Sequence, residues 1–321
     1  MGSVQGIAAG MSGQNHDRPD DSAPGGTDAG GPDPFDRLAR ESHAAARAPV
    51  SPFRGPPVPP RHTPGTAMAL AGAGLPMVVA PHDPGVSWAR LPAVTPDRDI
   101  LAARGLGTPD GGPGPAAARF DLLRTRMLRA LDERGWRRVI VTAPTRGCGT
   151  SLVAAGLALS LARLPEQRGV LLDLELRAPG LARMLGVAAP GPIAPMLQGE
   201  AAPADHLVRI GRNLGLGLSD SAVAEPPALL HAAAMAHALD AIARTYEPDA
   251  VLCDMPPMLA CDDVLALLPR VDCVLIVADA TRTTAADLRA CETMLEGRAP
   301  ILGVVLNRAE DTARRYRYDA G

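Results

Sequence analysis

A chain of 321 residues with 46% hydrophobic content is long enough to bury a substantial core in one or two domains. Its formal net charge of −3 leaves no basic excess for binding nucleic acid, and all 32 of its basic residues are arginine. The longest apolar stretches, such as Met68 to Ala80, are broken by glycine and proline and are too short for a bilayer span, so a membrane role must come through a partner.

From Met1 to Pro115 the sequence is dominated by Gly, Pro, Ala, Asp and Ser, as in RPDDSAPGGTDAGGPDPFD. Such a stretch buries too little apolar surface to offset its ordering entropy, so residues 1–115 are expected to be a disordered tether. A short helix over Pro34 to Ala48 and docking of Trp88 and Leu91 are the local exceptions to consider. The character changes at Ala116, where Phe120, Leu123, Met127 and Leu131 form one helical stripe up to Glu133. Arg134, Arg137 and Arg138 then mark a solvated helix end beside the first strand.

Arg138 to Arg163, RVIVTAPTRGCGTSLVAAGLALSLAR, predicts a strand, a glycine-bearing loop and a helix in immediate succession. That is the layout of a phosphate-binding loop, in which backbone N–H groups and the helix N-terminus cradle phosphate, a lysine adds a point charge and a hydroxyl holds Mg²⁺. Gly147, Gly149 and Ser151 fall in register with the pattern G-x-x-x-x-G-K-[ST]. Thr150 stands where the lysine belongs, and Pro144 where the first glycine belongs. The chain contains no lysine to replace it. Arg146 is the candidate substitute, although a planar guanidinium on another part of the loop does not occupy an ammonium's place.

Beyond the loop, short apolar strands alternate with helices: Val170 to Glu175, a weaker Leu214 to Leu218, Ala250 to Asp254, Cys273 to Ala278 and Ile301 to Asn307, with helices over Pro227 to Tyr246 and Thr284 to Leu295. Strands apolar on both faces and separated by helices mean a mostly parallel sheet covered on both sides, a doubly wound α/β domain over 116–308, followed by a short tail over 309–321. Ligands of such sheets bind beyond the carboxyl ends of the strands. The 144–151 loop, Asp173 and Asp254 are all expected there. A carboxylate at that edge can hold Mg²⁺ directly or through water beside Ser151, so Ser151, Asp173 and Asp254 are the candidate metal ligands. Cys148, Cys253, Cys261, Cys273 and Cys291 form no C-x-x-C pair and no His/Cys ligand spacing, which argues against zinc. With no signal peptide recognisable, a reducing cytoplasm is the expected compartment.

These residues together resemble the cytoplasmic catalytic domain of the bacterial tyrosine kinases of capsular and exopolysaccharide synthesis, part of the P-loop NTPase superfamily. FDLLRTR at Phe120 to Arg126 is similar to the family's F-R-x-L-R-T-N, APTRGCGTS at Ala143 to Ser151 to S-x-x-P-G-x-G-K-S, and LLDLELRAP at Leu171 to Pro179 to L-I-D-x-D-L-R-x-P. GPIAPMLQGE at Gly191 to Glu200 resembles G-L-x-x-x-L-x-G-E, PPALL at Pro226 to Leu230 resembles P-P-x-E-L-L, and LCDMPPML at Leu252 to Leu259 resembles I-I-D-T-P-P. G-V-V-L-N stands unaltered at Gly303 to Asn307.

The resemblance implies ATP or ADP with Mg²⁺ as ligand. It assigns Asp173 and Asp254 catalytic positions, and it assigns Arg146, Gly147, Cys148, Gly149, Thr150, Ser151 and Asn307 to the nucleotide. The departures fall on positions the resemblance makes functional. Thr150 replaces lysine, Arg146 the loop proline and Glu175 an aspartate. In the E-x-x-R-x-x-R helix by which such kinases form rings, Ala118 and Asp121 replace the first two charged residues and only Arg124 remains. The tyrosine-rich tail has shrunk to Tyr316 and Tyr318. Phosphoryl transfer depends on positioning and charge neutralisation, so loss of the lysine strikes at its main component. The implied protein is a regulator or adaptor with lost or weak catalysis. It would be a monomer or small oligomer, cytoplasmic or recruited to the inner membrane by a membrane-bound chain-length regulator or by a true tyrosine kinase. The alternative is an active tyrosine kinase or ATPase with Arg146 as replacement cation.

Overall fold

The computed structural model describes residues 83–108 and 116–309. The helix expected over Pro34 to Ala48, and Tyr316 and Tyr318, lie outside the described residues.

Two short helices open the described chain, α1 (Pro84–Arg90) and α2 (Arg98–Ala103). Asp83 and Asp97 cap them by accepting from backbone N–H groups of the first turn. The Trp88 indole N–H donates to the Tyr246 carbonyl at 2.8 Å, and its ring meets that of Tyr246 edge-on with centroids 5.5 Å apart. Ala93 pairs with Arg209 in a parallel bridge. The expected boundary at Ala116 is therefore corrected: residues 83–108 pack into the folded body. Their helices are 7 and 6 residues long, too short to display a periodicity among so many prolines and glycines.

α3 (Ala117–Arg134) buries the predicted stripe of Phe120, Leu123, Met127 and Leu131 and ends on Gly135, whose φ of 67° suits a left-handed helix cap. β1 (Arg138–Thr142) and α4 (Thr150–Ala162) flank the glycine loop. α3 lies on α4 at Gly156, where an added Cβ would stand 2.2 Å from Cζ of Phe120. β2 (Gly169–Asp173), α5 (Leu181–Leu185), α6 (Ala194–Leu197), α7 (Pro203–His206), β3 (Val208–Ile210) and β4 (Leu214–Gly217) follow. The helix predicted over Pro227 to Tyr246 is two helices, α8 (Pro226–His231) and α9 (Ala233–Tyr246), separated at Ala232 by an extended ψ of 148°. Next come β5 (Ala250–Asp254), α10 (Asp263–Leu267), β6 (Cys273–Asp279), α11 (Ala285–Leu295) and β7 (Ile301–Asn307).

The strands form one sheet in the order β3-β4-β2-β5-β1-β6-β7. All neighbours are parallel except β3 and β4, an antiparallel edge absent from the sequence-based expectation. Along β1, Val139 and Val141 pack into one hydrophobic layer with Phe120 and Leu157, whereas Ile140 joins Leu239, Tyr246 and Leu288 on the other face. Burial on both faces is why these strands are continuous apolar runs rather than alternating ones. The expected doubly wound, mostly parallel α/β fold is what the chain adopts. No helix of the described residues is long and apolar enough to cross a membrane.

Candidate functional site

The 143–149 loop leaves the carboxyl end of β1 and enters α4, and its course depends on two glycines. Gly147 and Gly149 have φ of 83° and 90°, the left-handed region that penalises a side chain. Both are also approached closely. A Cβ on Gly149 would stand 2.2 Å from the Asn307 side-chain nitrogen, and one on Gly147 2.9 Å from an Arg282 guanidinium nitrogen. Those two side chains hold the loop by its carbonyls: Asn307 Nδ2 donates to the Cys148 oxygen at 2.8 Å, and Arg282 Nη2 donates to the Gly147 oxygen at 3.0 Å. In a trans peptide the N–H points opposite to the C=O. With both carbonyls turned toward Arg282 and Asn307, the N–H groups of Cys148 and Gly149 face away from those side chains, in the manner of an anion nest. Cys148 itself is buried, its thiol donating to the Thr145 carbonyl at 3.2 Å.

Arg282 is held in turn by Asp279, the last residue of β6. The Asp279 carboxylate accepts from Arg282 Nε at 3.0 Å, Arg308 Nη1 at 2.6 Å and the Thr281 hydroxyl at 2.7 Å. Burial works against ionisation of this group, but donors from Thr281, Arg308 and Arg282 outweigh it and hold its pKa well below the usual carboxylate range.

Across the loop lie three carboxylates of the opposite character. Asp173 and Asp254 end β2 and β5 as register partners. Asp173 accepts from the N–H groups of Gly180 and Leu181 at 3.1 and 3.0 Å through one oxygen, while its other oxygen makes no well-formed hydrogen bond. Burial pushes its pKa up to about 6 against those backbone donors. Asp254 is 1% exposed, and neither of its oxygens makes a well-formed hydrogen bond. Burial and then the charge of Asp173 push its pKa well above the carboxylate range, with the Ser151 hydroxyl opposing. Glu175 is pushed up to about 7 by burial, with Arg146 opposing and Asp263 and Asp173 adding to the rise. Asp263 is tied by two bonds to Arg177, at 3.0 and 2.8 Å.

The fold therefore brings the loop, Ser151, Asp173 and Asp254 to one sheet edge, as the spacing predicts. A carboxylate pair beside a hydroxyl is suited to a hard divalent cation, and the loop N–H groups to a phosphate. Among the described residues no group of three or more His, Cys, Asp or Glu side chains is arranged to hold a metal ion, so such a cation would complete its shell with water or phosphate oxygens. Thr150 opens α4 without a cation of its own. Arg146 is exposed and feels the field of Glu175. Asn307, expected to contact nucleotide, has its amide nitrogen on Cys148 and its oxygen on the Arg308 N–H at 2.9 Å. It braces the loop from behind.

The Ala118, Asp121, Arg124 set lies on α3 where that helix meets α4. Only Ala118 is exposed. Asp121 accepts from the Ser160 hydroxyl at 2.6 Å and pairs with Arg124 and Arg163, and Arg124 also donates to the Ser160 carbonyl at 2.9 Å. Both charged residues turn inward onto α4 rather than outward to a neighbour. Sequence reasoning missed Asp279, Arg282 and Arg308 altogether. The only signal was a third strand-end aspartate, Asp279, in the same position on β6 as Asp173 and Asp254 hold on β2 and β5.

In sequence, the chain is 30% identical over 209 residues to two proteins provisionally named tyrosine-protein kinase EpsB, from Ralstonia nicotianae and Ralstonia solanacearum. The matched segment covers 64% of this chain and 27% of each relative, so the chain spans little more than a quarter of their length. Over that segment the chain is similar in sequence to both of these proteins. No protein-family model matches it. Solved structures with the same fold include the kinase domain of the Escherichia coli tyrosine kinase ETK, with a TM-score of 0.58 and 22% identity over 71% of this chain and 93% of that one. The chimerical protein CapA2B2 has a TM-score of 0.57 and 21% identity over 68% of this chain and 95% of that one, and the BceF tyrosine kinase domain a TM-score of 0.54 and 21% identity over 68% and 91%. The chain thus shares its α/β fold with those domains, and Thr150 opens α4 directly after the glycine loop.

Proposed function

We propose that this kinase-like domain is a regulatory or adaptor component of capsular or exopolysaccharide assembly or export, with tyrosine-kinase chemistry lost or weak. The observation that carries this reading is the charge arrangement around the loop. Thr150 supplies no cation, Arg146 stands in the field of Glu175, and Arg282 is bonded to Asp279 and to the Gly147 carbonyl. A transferring phosphoryl group needs fixed positive charge at its β- and γ-oxygens, and removing it costs orders of magnitude in rate. Support for a residual ATP or ADP–Mg²⁺ site comes from Ser151, Asp173 and Asp254, which stay together beside a loop of phosphate-binding shape. In this reading the domain works at the cytoplasmic face of the inner membrane, held by a membrane-bound chain-length regulator or by a true tyrosine kinase.

The test is incubation of the purified protein with ATP and Mg²⁺ followed by mass spectrometry. No phosphotyrosine is expected. Phosphotyrosine that appears in the wild type and is absent from Asp254→Asn would overturn the reading. That outcome would favour the second one, an active tyrosine kinase or ATPase with Arg146 as replacement cation, for which Arg146 on the loop is the specific support.

A further inference from the structure

The strand-end loop after β6 reaches over the phosphate loop through one side chain. Arg282 donates Nε to Asp279 and Nη2 to the Gly147 carbonyl, both at 3.0 Å, so its guanidinium spans two fixed acceptors. Asp279 is fully buried and is shared with Arg308 from the end of β7. The Arg282 side chain is 56% exposed, so it serves no purpose in the core. Its effect is on the backbone: it fixes the direction of the 147–148 peptide, whose N–H lies opposite the carbonyl it holds. Asn307 does the same for the next peptide from β7. Two side chains from two adjacent strand ends thus set two consecutive loop N–H groups. An independent feature of the site points to an occupant. Asp254, 1% exposed and without a well-formed hydrogen bond on either oxygen, interacts with Ser151 in the first turn of α4. A buried carboxylate so placed requires a proton or a cation companion.

We propose that Arg282 is the positioning residue that holds the phosphate loop in its binding shape in the absence of a lysine, by fixing the direction of the 147–148 peptide. The proposal rests on the loop being a phosphate site but not on the loss of catalysis. Arg282 acts through the Gly147 carbonyl, and its charge, already spread over Asp279, adds a positive rim rather than a point contact. Lysine cannot reproduce this arrangement, because a single ammonium does not present two donors with the spread of a guanidinium fork. Arg146 has no such part in it.

The probes are inorganic pyrophosphate and ADP, titrated calorimetrically into the full chain with and without Mg²⁺. Wild type is expected to bind both with Mg²⁺ at sub-millimolar to millimolar concentration. Arg282→Ala is expected to weaken binding tenfold or more while its thermal midpoint stays within a few degrees of wild type, since the side chain is largely solvated. Arg282→Lys is expected to fail to restore binding. Wild-type affinity in Arg282→Ala, full rescue by Arg282→Lys, or absence of pyrophosphate and ADP binding by the wild type would each overturn the proposal. Loss of binding in the Arg282 variants leaves the adaptor reading untouched, because that reading stands or falls on phosphotyrosine formation.

Discussion

Asp173 and Asp254 are register partners at the ends of adjacent parallel strands, both buried, and the charge of one raises the pKa of the other. With Glu175 they form a patch of acids that resist ionisation. In the unfolded chain such groups titrate near pH ~4. In the folded chain Asp173 is pushed up to about 6 and Glu175 to about 7, and Asp254 lies well above its ordinary value, in each case with burial as the largest cause. Between these limits the native state holds more protons than the unfolded state, so the stability contributed by these groups falls as pH rises and levels off above the folded values. Asp279, with its pKa held down, has the opposite sign and loses its contribution on acidification. Asp254→Asn isolates the first effect. It should raise the stability of the ligand-free protein at pH 8 by on the order of 1–3 kcal/mol and flatten the decline between pH 5 and 8, measured by urea unfolding across that range. A variant less stable than wild type at pH 8 would count against the unpaired-acid account.

The same patch predicts proton release on cation binding. A divalent ion at Ser151, Asp173 and Asp254 favours the ionised carboxylates, so loading pyrophosphate with Mg²⁺ near pH 6 should expel protons. Calorimetry in two buffers of different ionisation enthalpy measures the number directly. The release should fall in Asp254→Asn, with Asp173 supplying what remains from the protein.

Gly149 supplies a backbone test. Alanine there must adopt a φ of 90° and push its Cβ into the Asn307 amide, which otherwise holds the Cys148 carbonyl. The strain alone costs about 1–2 kcal/mol, and displacement of a buried amide adds about as much. Asn307→Ala removes the obstacle along with the brace, so the double variant should be less destabilised than the sum of the singles. Urea unfolding of the four proteins closes the cycle. Simple additivity would mean that the approach of Asn307 to Gly149 does not constrain the loop.

Thr150→Lys probes how much of the site is intact. Lysine at the first position of α4 returns a point charge to the helix end that the loop N–H groups already favour for anions. ADP–Mg²⁺ affinity should rise about tenfold, or ~1.4 kcal/mol, in a calorimetric titration. No gain would show that more than this residue separates the loop from a working phosphate site.

What was legible in the sequence follows physical scale. Strands buried on both faces announce themselves as runs such as AVLCD and ILGVVLN, and their ends are marked by the charged or amide residue that first meets the ligand edge. Gly147 and Gly149 were likewise visible because a left-handed turn leaves few other choices. Residues 83–108 were not, because Trp88 and Leu91 are single anchors within a proline-rich stretch and their partner Tyr246 lies far along the chain. Nor does any glycine or proline mark the break at Ala232 between α8 and α9. The tie between Arg282 and Gly147 spans 135 residues and joins a side chain to a backbone oxygen. No local pattern encodes a contact of that kind.

The charged residues of α3 carry the last prediction, about assembly. In a ring-forming helix, charged residues at 118, 121 and 124 would face a neighbour, since positions three apart share a helical face. Here Asp121 and Arg124 are spent on Ser160 and Arg163 of the α4 end, and the Arg124 side chain is only 11% exposed. A neighbour approaching that face would meet Ala118, Leu122 and Thr125 beside a partly exposed Asp121 that is already paired with Arg124 and Arg163. That is too little to replace a self-complementary set of ion pairs. The protein should therefore be a monomer or small oligomer by light scattering at micromolar concentration, with or without ADP and Mg²⁺. Asp121→Ala should lower stability by about 1–2 kcal/mol, because it leaves Arg163 and Ser160 without their acceptor, and should leave the scattering mass unchanged. If instead the wild type scatters as a ring and Asp121→Ala dissolves it, the carboxylate serves a neighbour in solution and its inward bonds yield to that contact.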